Sequence, residues 1–304
     1  MLSSLIPEGG LILIKEFQQM VPNIYRLEVT FTGCWTGVTL VLGQENVLID
    51  SGSCAETVDS EILPALKAMG LGMEDIHYVA LTHTHGDHVG GCGRFLELNP
   101  QMKVVCYADS LERMLDPLKY SKAIRATFPG YSPAAPKVLT GVKPDLLLKD
   151  GECLGDLRLI HTPGHDADTV CYYDERTKTL ITGDSLQLNG TVTQGCALLM
   201  DASGYDAALK KLLDMDIQNI VSGHPYLPLG AEAIGEKESR HYLQACLACH
   251  KHDQGFVQGM MAAGIEDPVI IAKALIREVG GQEPSFLFLP LYTATQYMKM
   301  KSKE

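Results

Sequence analysis

The 304 residues include one tryptophan and no apolar run near the roughly 18–20 residues that a bilayer-spanning helix requires. No helical membrane anchor is therefore expected. Basic charge is also short, with 25 Lys and Arg against 37 Asp and Glu, a net charge of -12. Such a surface repels phosphate backbones, so nucleic acid is disfavoured as a partner. No basic stretch precedes the apolar residues of "MLSSLIPEGGLILIKEF", so no export leader is expected and the location implied is cytoplasmic. The nine cysteines are odd in number and irregular in spacing, which argues for reduced thiols over a disulfide framework. No internal repeat is visible. What remains is ordinary globular composition, 46% apolar and 20% charged.

Strand signals dominate the first two thirds. "NIYRLEV" and "GVTLVLG" are rich in β-branched and aromatic residues beside glycine turns, and they read as paired strands. "NVLID" and "DIHYVALT" follow as short apolar strands. Between them "AETVDSEILPALKAMG" places Val58, Ile62, Leu66 and Met69 at helical spacing, with Pro64 implying a kink. "VGGCGRFLELNP" and "DSLERMLD" read as helices flanking the strand "KVVCY". Residues 117–145 carry five prolines and read as irregular, in the manner of a lid or binding loop. "DLRLIHT", "TVCYYD" and "TLITGDSL" read as strands, "GYDAALKKLLDMD" as an amphipathic helix and "IQNIVSGH" as a last strand. From residue 231 onward the pattern is helical, with no further strand signal. The expectation is a β-rich core covered by helices over residues 1–230, then a helical C-terminal segment over 231–304.

"LTHTHGDHVGG", residues 81–91, crowds three histidines and an aspartate behind an apolar strand. His83 and His85 stand two apart, so extended backbone would turn both side chains the same way. Asp87 and His88 follow in the turn. His165 in "HTPGHD", Asp184 in "ITGDSL" and His224 in "VSGHPY" also sit at expected strand ends. Strand ends converge in space even when far apart in sequence. Neutral imidazoles with carboxylates suit a borderline divalent ion such as zinc. Seven such groups exceed one tetrahedral shell and fit two ions that share a carboxylate.

"HTHGDH", "HTPGH", "TGD" and "SGH", in that order, resemble the metallo-β-lactamase superfamily over about residues 20–228. The resemblance implies an α+β fold, the αββα sandwich, here with a helical C-terminal extension. It implies two divalent metal ions as cofactors, zinc first, with iron or manganese able to take the same ligands. His83, His85 and His165 would hold one ion, Asp87, His88 and His224 the other, and Asp184 would bridge. Asp87 and Asp184 would thus serve catalysis as ligands, not as free general bases. Asp50 in "VLIDSG" would steady the histidine loop from behind the ligands. The implied reaction is hydrolysis of an ester, thioester, amide or phosphoryl centre by hydroxide that the two ions generate from water.

The run after His165 departs from the glyoxalase II pattern. "GHDADTV" brings Asp166 and Asp168, and the tail "GGQEPSFLFLPLYTATQYMKM" is similar to that of helix-capped thioesterases of this fold. The substrate expected first is a small acyl thioester. A lactone or other ester comes next, then a phosphodiester of the endoribonuclease kind, and, in another class, a metal-containing regulatory protein binding through its helical surface. Trp35 in an expected hairpin loop, with Tyr120, Phe128 and Tyr131 among the prolines, is the candidate rim of a substrate pocket. "CLACH", residues 246–250, matches a haem-attachment pattern but lies in a helical stretch, where core packing explains it better. Whether the chain forms a homo-oligomer is left open.

Overall fold

A computed structural model describes residues 15–31 and 33–300, so the leader expectation for the first residues and the end of the basic "KMKSK" tail lie outside the described part. Thirteen strands run in chain order: β1 Gln18–Val21, β2 Ile24–Phe31, β3 Cys34–Val41, β4 Val47–Ile49, β5 Tyr78–Ala80, β6 Lys103–Tyr107, β7 Leu146–Leu148, β8 Cys153–Leu154, β9 Leu157–His161, β10 Val170–Asp174, β11 Thr179–Ile181, β12 Asn219–Tyr226 and β13 Gly230–Ile234. They form two sheets, one in the order β1-β2-β3-β4-β5-β6-β7 and the other in the order β13-β12-β11-β10-β9-β8. The helices are α1 Ala55–Thr57, α2 Leu63–Ala68, α3 Gly86–Val89, α4 Cys92–Leu98, α5 Leu111–Leu115, α6 Pro117–Ala126, α7 Ala202–Leu213, α8 Glu236–Ala262, α9 Pro268–Glu278 and α10 Phe288–Lys299.

The apolar residues divide into three layers that follow from strand alternation. Ile24, Ile49, Ala80 and Val105 of the first sheet meet Leu159, Tyr172, Ile181 and Val221 of the second and fill the space between them. Leu27, Leu40, Leu48 and Val79 face the other way and pack on Val58, Ile62, Leu66 and Phe95 of the first helical layer. Leu180 and Ile220 pack outward on α7, α8, α9 and α10 through Leu209, Leu243, Ile271 and Leu291. Helix, sheet, sheet, helix is the αββα sandwich, and α8–α10 form its helical extension.

Three sequence expectations need correction, and a fourth, the kink at Pro64, takes a definite form. Residues 117–126 are helical, not irregular, because Asp116 accepts a hydrogen bond from the Lys119 amide at 3.0 Å and Pro117 opens the first turn. Strand signal does not end before 231. "GAEAI" pairs with β12, burying Ala231 and Ala233 and exposing Glu232 and Ile234, an alternation that alanine advertises weakly. Trp35 belongs to β3, not to the hairpin loop, since Phe31 already pairs with Cys34 across the turn. The Pro64 kink takes the form of a π-turn over Val58–Ile62 that continues into α2, as a missing amide invites.

Topology positions the site. β4 and β5 are parallel, as are β11 and β12, so the chain leaves β4, β5 and β11 at one edge of the sandwich. Those exits carry Asp50, the 81–88 loop and Asp184.

Candidate metal centre

The 81–88 loop drops off β5 and turns into α3, which places Asp87 and His88 inside its first turn. His165 comes from the loop joining β9 and β10, and His224 from an irregular stretch of β12 where the pairing with β13 shifts register. Gly183, at φ +47°, lets the "TGD" turn press on that loop. A Cβ there would lie 2.3 Å from Thr82 Oγ1.

Five imidazoles and two carboxylates meet at this edge. Donor atoms of His83, His85 and His165 lie within 4.8 Å of one another, as do those of Asp87, His88 and His224, and those of His83, His88 and Asp184. Each ring spends its outer nitrogen on a protein acceptor. His88 Nδ1–H donates to Asp50 Oδ2 at 2.7 Å, His165 Nδ1–H to the Leu198 carbonyl at 2.8 Å, and His224 Nδ1–H to the Trp35 carbonyl at 2.6 Å. His85 Nε2–H donates to Asp166 Oδ2 at 3.2 Å. Thr82 gives its hydroxyl proton to Asp50 Oδ2 at 2.8 Å, so its oxygen accepts from His83 Nδ1–H at 3.1 Å. With the outer nitrogens engaged, the inner nitrogens of all five rings point at one another, the arrangement by which protein orients imidazoles for a metal. Burial would lower all five, but the facing carboxylates raise His85, lift His88 well above the ordinary imidazole value and bring His224 to about 10, so these three hold protons that a bound cation would replace.

The inner atoms fit a cation. His83 Nε2, His88 Nε2 and Asp184 Oδ1 are buried and make no hydrogen bond, although they form one of the three donor groups. Buried polar atoms are almost always partnered, and three orphans converging on one point are what a cation would satisfy. His165 Nε2 and His85 Nδ1 stand 2.9 Å apart, a contact that needs either a proton on one ring or a cation facing both. Burial drives the His83 imidazole well below its ordinary pKa, and the same cause holds His165 at about 4, so both rings are neutral ligands. Burial alone would raise Asp87 and Asp184, but His88 and His224 hold both well below the usual carboxylate range.

Behind the clustered side chains lies a network of which the sequence announced Asp50 and little else. Asp50, at φ +64°, takes bonds from the amide and hydroxyl of Thr82 as well as from His88. Thr36 bonds Asp87 at 3.0 Å and Thr84 bonds Asp168 at 2.7 Å. Arg113 reaches Asp166 at 2.9 Å and Asp168 at 2.8 Å, with its guanidinium 4.1 Å from the Tyr120 ring centre. The Tyr120 hydroxyl bonds Asp166, and its ring stacks on His85. The alternation "THTH" did hold the threonine signal. Arg113 carried none, lying 55 residues from its partner.

Two clefts open beside the cluster. The larger, about 570 Å³, reaches His85 and Asp87 and is walled by Tyr120, Ile124, Val138, Leu139, Phe288 and Leu289. The smaller, about 460 Å³, reaches His224 and carries Thr191, Thr193, Gln194, Gln282 and Ser285. Phe31 and Leu289 line both. Of the candidate rim residues, Tyr120 lines the larger cleft. Trp35, Phe128 and Tyr131 line neither: Trp35 lies under Arg26, Phe128 packs edge-on against Tyr292, and Tyr131 faces solvent. Cys246 and Cys249 lie on α8, where burial holds their thiols protonated, at about 12 and about 11.

A family model described as the metallo-beta-lactamase superfamily matches residues 34–224. The chain is 25% identical over 220 residues to an atrochrysone carboxyl ACP thioesterase of Passalora fulva, covering 69% of this chain and 56% of that one. It is 29% identical over 180 residues to the acyl-coenzyme A thioesterase MBLAC2 of Bos taurus, covering 56% and 63%. The match thus spans less than two thirds of either relative. Among solved structures, a metallo-beta-lactamase family protein from Thermus thermophilus superposes with a TM-score of 0.73 at 21% identity, over 92% of this chain and 94% of that one. It shares the fold.

Proposed function

Because this chain belongs to the metallo-beta-lactamase superfamily, we propose that it is a metal-dependent hydrolase of small acyl thioesters. The observation that carries this reading is a mostly apolar cleft of about 570 Å³ that ends on two of the clustered ligands, His85 and Asp87. Such a cleft suits an acyl chain held with its carbonyl at the cluster. The second cleft, on the His224 side, carries Thr191, Thr193, Gln194, Gln282 and Ser285 and offers a path for the thiol half of the substrate. The names of the two thioesterase relatives support the same choice.

We assign His83, His85 and His165 to one ion and Asp87, His88 and His224 to the other, with Asp184 shared and zinc the ion that best suits this donor set. Bound there, two divalent ions would supply a nucleophilic water at neutral pH and neutralise charge developing on the carbonyl oxygen. The chain's own part is to orient five imidazoles toward one space, to keep both carboxylates ionised despite burial, and to hold the acyl chain away from solvent. In the reaction, water adds to the acyl carbon, the C–S bond breaks, and the products are a carboxylate and a thiol. Phe288 and Leu289 at the start of α10 line the larger cleft, which supports reading the segment after Ile234 as a cap on the catalytic unit.

The test is thiol release from acyl-coenzyme A and acyl-glutathione thioesters by protein as isolated, after chelation, and after zinc or manganese is restored. A substrate-free blank is needed because the chain's nine cysteines react with thiol reagents. Chelator-sensitive turnover is expected. No release with two ions bound would overturn the thioester reading and leave lactones and phosphodiesters to be assayed.

A further inference from the structure

The chain has eight arginines, and their partners separate one from the rest. Arg26, Arg94, Arg113, Arg158 and Arg176 each pair with a carboxylate. Arg240 and Arg277 are exposed. Arg125 is half-buried and has no carboxylate partner among the described residues. Its Nη1 donates to the Ser121 carbonyl at 3.0 Å and the Ser121 hydroxyl at 2.5 Å, and its guanidinium lies 5.8 Å from the Phe288 ring centre. Its Nε is buried with no hydrogen-bond partner.

Arg125 stands in the wall of the larger cleft, the same space that His85 and Asp87 line. It is the only cationic side chain among that cleft's lining residues, set among Ile124, Val138, Leu139 and Phe288. Burial also pulls its pKa down, the mark of a cation losing water without gaining a counter-charge. An acidic chain, net charge -12, has many carboxylates to offer, yet among the described residues none pairs with Arg125. A guanidinium with free donors in an apolar pocket is a receptor for a carboxylate or phosphate, which its planar fork matches.

Resting on the thioesterase reading, we propose that the substrate carries an anionic group, carboxylate or phosphate, which Arg125 binds in the larger cleft while the scissile carbonyl lies at the metal cluster. The anion can come from the far end of the acyl chain or from the phosphates of the thiol carrier.

The experiment uses octanoyl and suberyl thioesters, which share their carbon count and differ by one terminal carboxylate. Each is presented on N-acetylcysteamine, which has no phosphate, and on coenzyme A. Wild type, Arg125→Gln and Arg125→Lys are compared by kcat/KM, with thermal melting to confirm that each variant folds. If the acyl chain carries the anion, Arg125→Gln lowers the suberyl-to-octanoyl ratio about 10- to 100-fold on N-acetylcysteamine, as loss of a charged hydrogen bond predicts, and Arg125→Lys restores part of it. If the carrier supplies it, the ratio of coenzyme A to N-acetylcysteamine falls instead, equally for both acyl groups. Both ratios unchanged in a folded variant overturn the proposal. Should wild type cleave none of the four, the thioesterase reading has failed, and calorimetry with suberate, octanoate and coenzyme A decides. Tighter binding of suberate or coenzyme A that Arg125→Gln abolishes sustains the anion site, and equal affinities in both proteins overturn it.

Discussion

Two clusters of buried titratable groups lie in this molecule, and they solve the same problem differently. At the strand edge, His83 Nε2, His88 Nε2 and Asp184 Oδ1 are buried without hydrogen bonds and share one small space. Within α8, His250 Nε2 and Asp253 Oδ2 are equally buried and equally unpartnered, yet no metal-sized group of donors forms around them among the described residues. His250 bonds the Tyr297 hydroxyl at 3.1 Å and packs edge-on against Tyr205. Desolvation holds the His250 ring neutral, at about 4, and raises the Asp253 carboxyl to about 6. Where the orphans converge, the neutral His83 ring and the ionised Asp184 carboxylate face one point and call for a cation. Orphans that stand apart give up their charges by gaining or losing a proton.

That contrast is broken or sharpened by removing members of each cluster. The largest effect is expected from Asp184→Asn, which alters the carboxylate assigned to both ions. Bound metal should fall below two per chain, and hydrolysis should drop by about 100- to 1000-fold with the fold intact. Metal analysis beside circular dichroism measures this. Full metal content in the variant would show that convergence of the orphans has another cause.

Next comes Arg113→Gln. It strips the one arginine or lysine that, among the described residues, pairs with Asp166 and Asp168, both nearly inaccessible to water at 2% exposure. Breaking a buried pair leaves uncompensated charge, and a loss of about 3 kcal/mol in unfolding free energy is expected from chemical denaturation. His85 should also loosen, because Asp166 orients its ring. A loss below about 1 kcal/mol would mean that Tyr120 and Thr84 hold the two carboxylates unaided.

Asp50→Ala is a milder change at the floor. Asp50 touches no inner donor atom but receives His88 Nδ1–H and the Thr82 hydroxyl, and through Thr82 it sets His83. Metal affinity should weaken about 10- to 100-fold in a chelator competition. An unchanged affinity would assign the orientation of His88 and His83 to packing alone.

Legibility in the sequence followed the range of the interactions. "HTHGDH" carries four of the clustered groups within six residues, and strand ends at "HTPGH", "TGD" and "SGH" supply the others, so local pattern was enough to list the residues that converge. The sheets were legible because alternation of Leu27, Val29 and of Val38, Leu40 is a local property of strands. The cleft wall was not. It joins Tyr120 and Ile124 of α6, Val138 and Leu139 of the following stretch, and Phe288 of α10, elements that no short-range pattern links. Pro129, Pro133 and Pro136 hid α6, because a run of prolines outweighs the "DPLK" start signal before them. Aromatic character then misplaced the rim: Phe128 and Tyr131 stand near the cleft in sequence and outside it in space.

The smallest effect expected is a gain, and it lies in the second cluster. Asp253 is fully buried, and burial raises its carboxyl from 3.8 to about 6, with the bond from His252 opposing the rise. A carboxyl whose pKa is raised on folding binds its proton more tightly in the native state. The protonated form therefore supports folding fully below about pH 4, and that support is lost as pH rises through about 6. The whole interval corresponds to about 3 kcal/mol at most. Asp253→Asn removes the ionisation but leaves a buried amide with no partner in place of Oδ2, which returns part of the gain. The variant should melt a few degrees above wild type at pH 8, about 1–2 kcal/mol, with the difference shrinking toward pH 4. His252 and Glu278 are the charged groups facing Asp253, and both remain in the variant, so the pH dependence of the difference belongs to Asp253. A melting difference of the same size at pH 4 and pH 8 would show that the carboxyl ionises freely inside α8, and the contrast between the two clusters would then rest on geometry without charge.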